Sequence, residues 1–379
     1  MWQWSSWDHL IQDFDSTKLN YGIVKNHPEL LNINAGRKFG GDVAQDWQHI
    51  NSVKYNPIYD QILLSCRQFN EIFIIDHSTT IVEAAAHKGG RYGKGGDLLY
   101  RWGNNASYKR GNEDEQKLFV QHNAYWIPKG YPYEGKVMIF NNQRKEFGLV
   151  FSSVDIITLP QDSIGNFILK SDSTFGPDTL DWSYYSRSNF YSNVMSNGQM
   201  LKSGHVLVNE GEPGRIFEID EHKNTIWQYI NPVGKDNKVF TQGSNPLNNF
   251  VYKAEIIYPD HPGLVNRILI PGNPIEKKPL PIPSICENIT GINNHTMGKI
   301  LVSPNPFNEF LKFKTEKNLS NVVIEIFDIY GRLIYNKQIA LLVGETDILK
   351  LEIPTGMYFL SIKDQINGKI FYVNKIFKA

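Results

Sequence analysis

Two stretches decide the fold: ILLSCRQFNEIFIID (Ile62–Asp76) and VLVNEGEPGRIFEID (Val206–Asp220). Each holds four strand-like residues, a six-residue turn region and an I-F-x-I-D strand, with no change of spacing. A segment ending in Trp and a polar turn follows each one, DLLYRWGN (97–104) and NTIWQYINP (224–232). A looser third copy reads KVMIF (136–140), EFGLVFSS (146–153), NFILK (166–170) and LDWSYYS (180–186). Repeats of roughly 40–60 residues, each holding about four short strands, are the signature of a β-propeller. In that architecture the innermost strand of each blade lines a central channel, so residues that open successive blades converge.

About three complete blades can be counted before residue 270, and a closed ring needs at least four. WQWSSWD (2–8) shares its pattern with IWQYINP, the last strand of a later blade. It is therefore expected to be the outer strand of a blade whose other strands are missing, which makes the propeller N-terminally truncated. A structured N-terminal arm on a smaller propeller is the alternative. From 271 to 298 Pro, Asn and Lys displace the periodicity, as in a linker. Residues 299–379 return to alternating strands, such as NVVIEIFD and MYFLSIKD, spaced by Gly and Asn turns. They read as a small antiparallel β-sandwich. The expected organisation is all-β: a propeller domain over 1–270, a linker over 271–298 and a sandwich over 299–379.

Composition agrees with short strands and turns: 13% aromatic residues, 30 glycines and 19 prolines in 379 residues. Charge is balanced at 39 basic and 39 acidic side chains, which points to no nucleic acid and no anionic surface as partner. No apolar run approaches the ~20 residues of a membrane span, and no signal peptide is recognisable. Cys66 and Cys286 fall in a strand and in the linker, so a disulfide between them is not expected.

The residues that open blades carry the chemistry. His49 opens one in DWQHINSVKY and His122 the next in FVQHNAYWIP, while Arg67 follows His49 by eighteen residues at a strand end. His9 sits in WDHLIQD, where the chain turns back toward the axis. Three imidazoles and a guanidinium around one axis make an anion site, because Arg offers a planar fork of donors to tetrahedral oxyanions. His77 and His205 read as structural, and His27, His87, His222, His261 and His295 lie in loops without a partner motif. A zinc site built from the three histidines is disfavoured by the neighbouring Arg67, which would repel a cation. The glycine-rich GGRYGKGGD (89–97) has no following helix to cradle phosphate, so no nucleotide, and no cofactor of any kind, is expected.

WDHLIQD, DWQHINS, LLSCRQFNEIFIIDHSTT, QHNAYWI and GRIFEID together resemble the bacterial arylsulfate sulfotransferases over roughly residues 1–275. That resemblance implies a six-bladed propeller that moves a sulfuryl group from an aryl sulfate to a phenol without a nucleotide donor. It implies that His122 is the nucleophile and becomes a sulfohistidine. His49, Asn51 and Arg67 would hold the sulfuryl oxygens, and His9 would complete the cradle. Trp7, Trp47 and Trp126 are the nearest aromatics for the acceptor ring. The family commonly has Q-H-D where this chain has Gln121-His122-Asn123, a change expected to loosen control of the ring tautomer and slow the reaction.

The C-terminal segments SPNPFNEFLKF, IEIFDIYGRLIY and PTGMYFLSIK, with a basic tail, resemble the type IX secretion sorting domains of the Bacteroidetes. This implies the type IX machinery as a partner and a secreted or cell-surface location. Export also demands a signal peptide, which gives a second ground for expecting truncation at Met1. Two other readings stay open: an exported binding propeller of adhesin or lectin type, and a sulfate-ester hydrolase. Whether the ring closes by forming a homodimer is also open.

Overall fold

The computed structural model describes residues 1–36, 46–265, 267, 272–279, 300–328, 332–344, 346–365 and 370–378. The chain divides into two units, Met1–Pro279 and Leu280–Ala379. Most of the expected linker, with Cys286 and His295, lies outside the described residues. Residues 272–279 belong to the first unit, where Lys277 N donates to Phe240 O.

The first unit opens with a short parallel pair, β1 (Leu10–Ile11) and β2 (Leu31–Asn32). Three four-stranded antiparallel sheets follow in chain order. The first is β3 (Ile50–Asn56), β4 (Gln61–Cys66), β5 (Glu71–Asp76) and β6 (Tyr100–Trp102). The second is β7 (His122–Trp126), β8 (Val137–Glu146), β9 (Leu149–Ile157) and β10 (Trp182–Tyr185). The third is β11 (Asn197–Met200), β12 (Val206–Glu210), β13 (Arg215–Ile219) and β14 (Thr225–Ile230). The all-β class and both copies of the deciding repeat are as expected. Strands take one residue more on each side of the turn than the pattern suggested, leaving turns at 67–70 and 211–214. Asn70 (φ 56°) and Gly214 (φ 61°) occupy the same left-handed position in these turns, where only residues such as Asn and Gly sit easily.

Period-two burial explains the stacking. On β8, Val137 and Ile139 face one core with Leu63, Ile72 and Ile74 of the first sheet. The alternate residues Met138 and Phe140 face another core with Val206, Val208 and Phe217 of the third. The middle strands of the first sheet are covered on both faces, which is why β5 reads as an unbroken buried run.

The same logic corrects the expectation for the N-terminus. Leu64, Cys66, Phe73 and Ile75 form the other face of the first sheet, and Trp2, Trp4 and Trp47 pack on it instead of forming an outer strand. Residues 1–5 join no ladder, and their indoles anchor them to the first sheet's loops: Trp2 Nε1 donates to Thr79 Oγ1 (3.0 Å) and Trp4 Nε1 to Gly96 O (2.7 Å). NFILK is likewise no blade strand. It makes only isolated bridges, Gln161 to Phe167 and Leu169 to Phe175, and the inner strand of the second sheet is β7.

In the second unit, β15 (Ile300–Ser303), β16 (Phe310–Thr315) and β19 (Asp347–Lys350) form one sheet. The strands β17 (Leu319–Phe327), β18 (Leu333–Leu341), β20 (Gly356–Asp364) and β21 (Ile370–Lys378) form the other. Leu311 and Phe313 meet Ile324, Ile326, Leu360 and Ile362 between them, the core of a small sandwich.

Candidate active site

The inner strands β3, β7 and β11 start side by side, and a cleft of about 550 Å³ opens at those starts. Its lining comprises Asp46, His49, Arg67, Gln68, His122, Val194, Met195 and Tyr252. Cross-strand polar bonds set this alignment. Asn51 Nδ2 donates to Gln121 O (2.7 Å), Ala124 N donates to Ser52 Oγ (3.0 Å), and Gln121 Nε2 donates to Glu71 O (2.8 Å). His49, Val120, Asn123 and Met195 all have φ between 48° and 59°. For the β-branched Val120 this is an outlier, so backbone strain concentrates around the cleft.

His122 is 4% exposed. Its Nδ1 lies 2.8 Å from Asn142 Oδ1 and 3.1 Å from Val120 O. Asn142 cannot be turned the other way, since its Nδ2 donates to Ser192 O (2.8 Å) and Met195 O (3.1 Å). Both neighbours of Nδ1 are acceptors, so Nδ1 carries the proton and Nε2 the lone pair. Burial, opposed by the Asn142 bond and reinforced by the charges of Arg67 and His49, pushes the imidazole pKa down to about 4. At neutral pH the ring is an uncharged base with a fixed tautomer.

The His49 ring stands edge-on to His122, 6.3 Å between centroids, and its Nδ1 is held by the Asp46 carboxylate. Arg67 is buried, and its backbone N–H donates to His49 O (3.2 Å), which ties the end of β4 to the start of β3. Three of the expected residues, His49, Arg67 and His122, are therefore brought together.

His9 is not. It is fully buried elsewhere, with Nδ1 2.8 Å from Asp97 Oδ1 and Nε2 2.9 Å from Ala84 O. The chain does not turn toward the cleft at WDHLIQD, because Trp4 and His9 pack together on the first sheet's loop. Asn51 does not line the cleft either. Its amide braces β3 against β7, and its Oδ1 accepts from Asn123 N (3.3 Å). The three tryptophans also lie apart: Trp7 stacks on Trp47, and Trp126 lines a different cleft. The aromatic at the site is Tyr252, whose hydroxyl donates to Asn51 O (2.9 Å).

Asn142, Gln68 and Tyr252 escaped the reading of the sequence. Asn142 takes the part expected of residue 123, whose own amide donates away from the ring, to Gly198 O (3.5 Å). Gln68 is 2% exposed, and its Oε1 has no hydrogen-bond partner among the described residues. His87, read as partnerless, shares Asp97 with His9.

The family model for arylsulfotransferases (ASST) matches residues 1–253, and that for secretion system C-terminal sorting domains matches residues 301–378. The sorting domain directs the chain through type IX secretion to the outside of the cell or its surface. No helix among the described residues is long and apolar enough to cross a membrane. No curated protein matches the chain. Among solved structures, a glycoside hydrolase family 2 β-glucuronidase is 16% identical at a TM-score of 0.14, covering 22% of this chain and 11% of its own. A protein from Lactobacillus plantarum is 7% identical at a TM-score of 0.26, covering 87% and 72%. Likeness this weak carries no argument.

Proposed function

The chain belongs to the arylsulfotransferase family, and from that membership we propose that it moves a sulfuryl group from an aryl sulfate to a phenol through a sulfohistidine at His122. The observation that carries this reading is the fixed, uncharged imidazole of His122, its Nδ1 proton committed to Asn142 and Val120 beside Arg67 and His49.

The lone pair on His122 Nε2 attacks sulfur, the bond from sulfur to the donor's phenolic oxygen breaks, and the phenolate leaves with the electron pair. Protonated His49 gives that oxygen its proton, and Asp46 steadies the imidazolium. The acceptor phenol then returns a proton to His49 as its oxygen attacks sulfur and the N–S bond breaks, so the cycle is proton-neutral. Arg67 holds the equatorial oxygens, where positioning and charge stabilisation supply most of the catalysis. Tyr252 and Met195 flank the aryl ring. A six-bladed ring around this site belongs to the same proposal.

Mixing a chromogenic aryl sulfate with phenol tests it. Release of the chromophore should rise with phenol and yield phenyl sulfate; release of inorganic sulfate independent of phenol would identify a hydrolase instead.

Three further results are expected. The pH profile of donor cleavage should hold its His122-dependent limb down to about pH 4, not fall near the ordinary histidine value of 6.5. Asn142→Asp would place a carboxylate beside Nδ1, favour the imidazolium and move that limb toward neutrality. Asn142→Leu should lower kcat by on the order of a hundredfold with KM for donor little changed, since the ring loses its tautomer control.

A further inference from the structure

His9, His87 and Asp97 are unused by the proposed reaction, yet they bring one ligating atom each to within 4.8 Å of one another. His9 Nδ1 and His87 Nδ1 each lie 2.8 Å from the same oxygen, Asp97 Oδ1. The other nitrogen of His9 faces Ala84 O, and a carbonyl can only accept, so Nε2 bears a proton. A neutral His9 would then present a lone pair to a carboxylate oxygen at hydrogen-bond distance, with nothing between them. A cation between the two removes that repulsion.

We propose that His9, His87 and Asp97 bind a zinc ion, with water completing the shell. Two imidazoles and one carboxylate are a zinc-type donor set. The His9 Nε2–H to backbone carbonyl bond is the outer contact that orients a metal-bound histidine. Zinc at about 2.1 Å from each donor needs donor atoms roughly 3.4 Å apart, so both 2.8 Å contacts with Asp97 Oδ1 must open, by a turn of the Asp97 carboxylate away from His9 and an outward swing of His87. His87 is free to make it, its side chain being 59% exposed, and that exposure also admits the water.

The cradle is built around the ring of His9. Trp4 stacks on it with planes 2° apart, and Trp4 Nε1 pins Gly96 O. A side chain at Gly96 would come within 2.5 Å of His9 Nε2, so that position has no room for one. The loop is tied on both sides of the ligands, Gly96 N to Ala86 O (3.0 Å) and Leu98 N to Glu29 O (2.9 Å). Zinc here staples the N-terminal segment to the loop 84–97, remote from the cleft, and cross-links residues far apart in sequence.

The test uses the whole chain, stripped with EDTA, exposed to zinc chloride, desalted and analysed for metal. About one zinc per chain should be retained by the parent and by His49→Ala, which removes a cleft histidine. It should be lost in His87→Ala, an exposed change that leaves the fold intact, and in Asp97→Asn. Zinc should raise the parent's Tm by several degrees and leave that of His87→Ala unmoved. Cobalt in place of zinc should give the intense visible bands of a tetrahedral site in the parent and not in His87→Ala. A chain that retains no zinc, or retains it equally in His87→Ala, would overturn the proposal and leave Asp97 as a carboxylate shared by two imidazole rings.

Discussion

His122→Ala should lose at least roughly a thousandfold in sulfuryl transfer, because it removes the only step that divides the exchange into two easier ones. The loss should fall on kcat, with donor KM within a few-fold of the parent, since Arg67 and the rest of the cleft still hold the sulfate group. Folding is a lesser concern here. The ring is buried but sits at the cleft and not in either of the apolar cores that join the sheets. Imidazole added to the smaller His122→Gly variant should restore part of the rate, now without a covalent adduct on the chain. If His122→Ala keeps more than a tenth of the parent rate, the nucleophile has been misassigned.

The second large effect concerns stability. Arg101 and Glu71 are both fully buried and joined by two bonds, Nε to Oε1 (2.8 Å) and Nη2 to Oε2 (2.5 Å). Ser107 Oγ donates to Oε2 (2.6 Å), and Arg101 Nη1 donates to Leu30 O (3.0 Å), so the guanidinium links the first sheet to the N-terminal segment. Glu71 also lends its backbone carbonyl to Gln121, next to His122. Removing one partner leaves an uncompensated buried charge, and Arg101→Met should cost about 3–5 kcal/mol. The double variant Arg101→Met, Glu71→Leu should recover most of that, which denaturant melts of the first unit would show.

The pH sense of this loss is fixed. Burial already pushes the Glu71 carboxyl upward, with Arg101 opposing it. Without Arg101 the folded-state pKa rises further above the unfolded value. A raised carboxyl pKa stabilises only below the unfolded pKa and loses that contribution as pH climbs through the folded one. Arg101→Met should therefore be closer to the parent near pH 4 than at pH 7. A loss that is the same at both would mean the pair matters for packing alone.

The repeat Ile62–Asp76 and Val206–Asp220 was legible because spacing, apolar pattern and turn chemistry agree in both copies. His49 and His122 were legible for a related reason: equal places in a repeat become equal places around the inner strands. What could not be read depends on pairing between distant segments. Asn142 reaches His122 through the register of β7 on β8, where His122 pairs with Phe140 and a bulge follows Asn141. No local pattern announces that. The N-terminal tryptophans have a strand-like rhythm, but the exposed face of the first sheet needed a cover, and indole N–H groups found Thr79 and Gly96 there. His9 was drawn toward Asp97, 88 residues away, by the same packing.

The central claim, that the sulfuryl group rests on His122, is tested by stopping the reaction with a chromogenic aryl sulfate before any phenol is added. The chain is then digested at alkaline pH and its peptides are weighed. The account predicts one burst of chromophore per chain and the mass of one sulfuryl group on the peptide carrying His122, discharged when phenol follows. A burst with the group on another residue, or turnover to sulfate with no modified peptide, would contradict it.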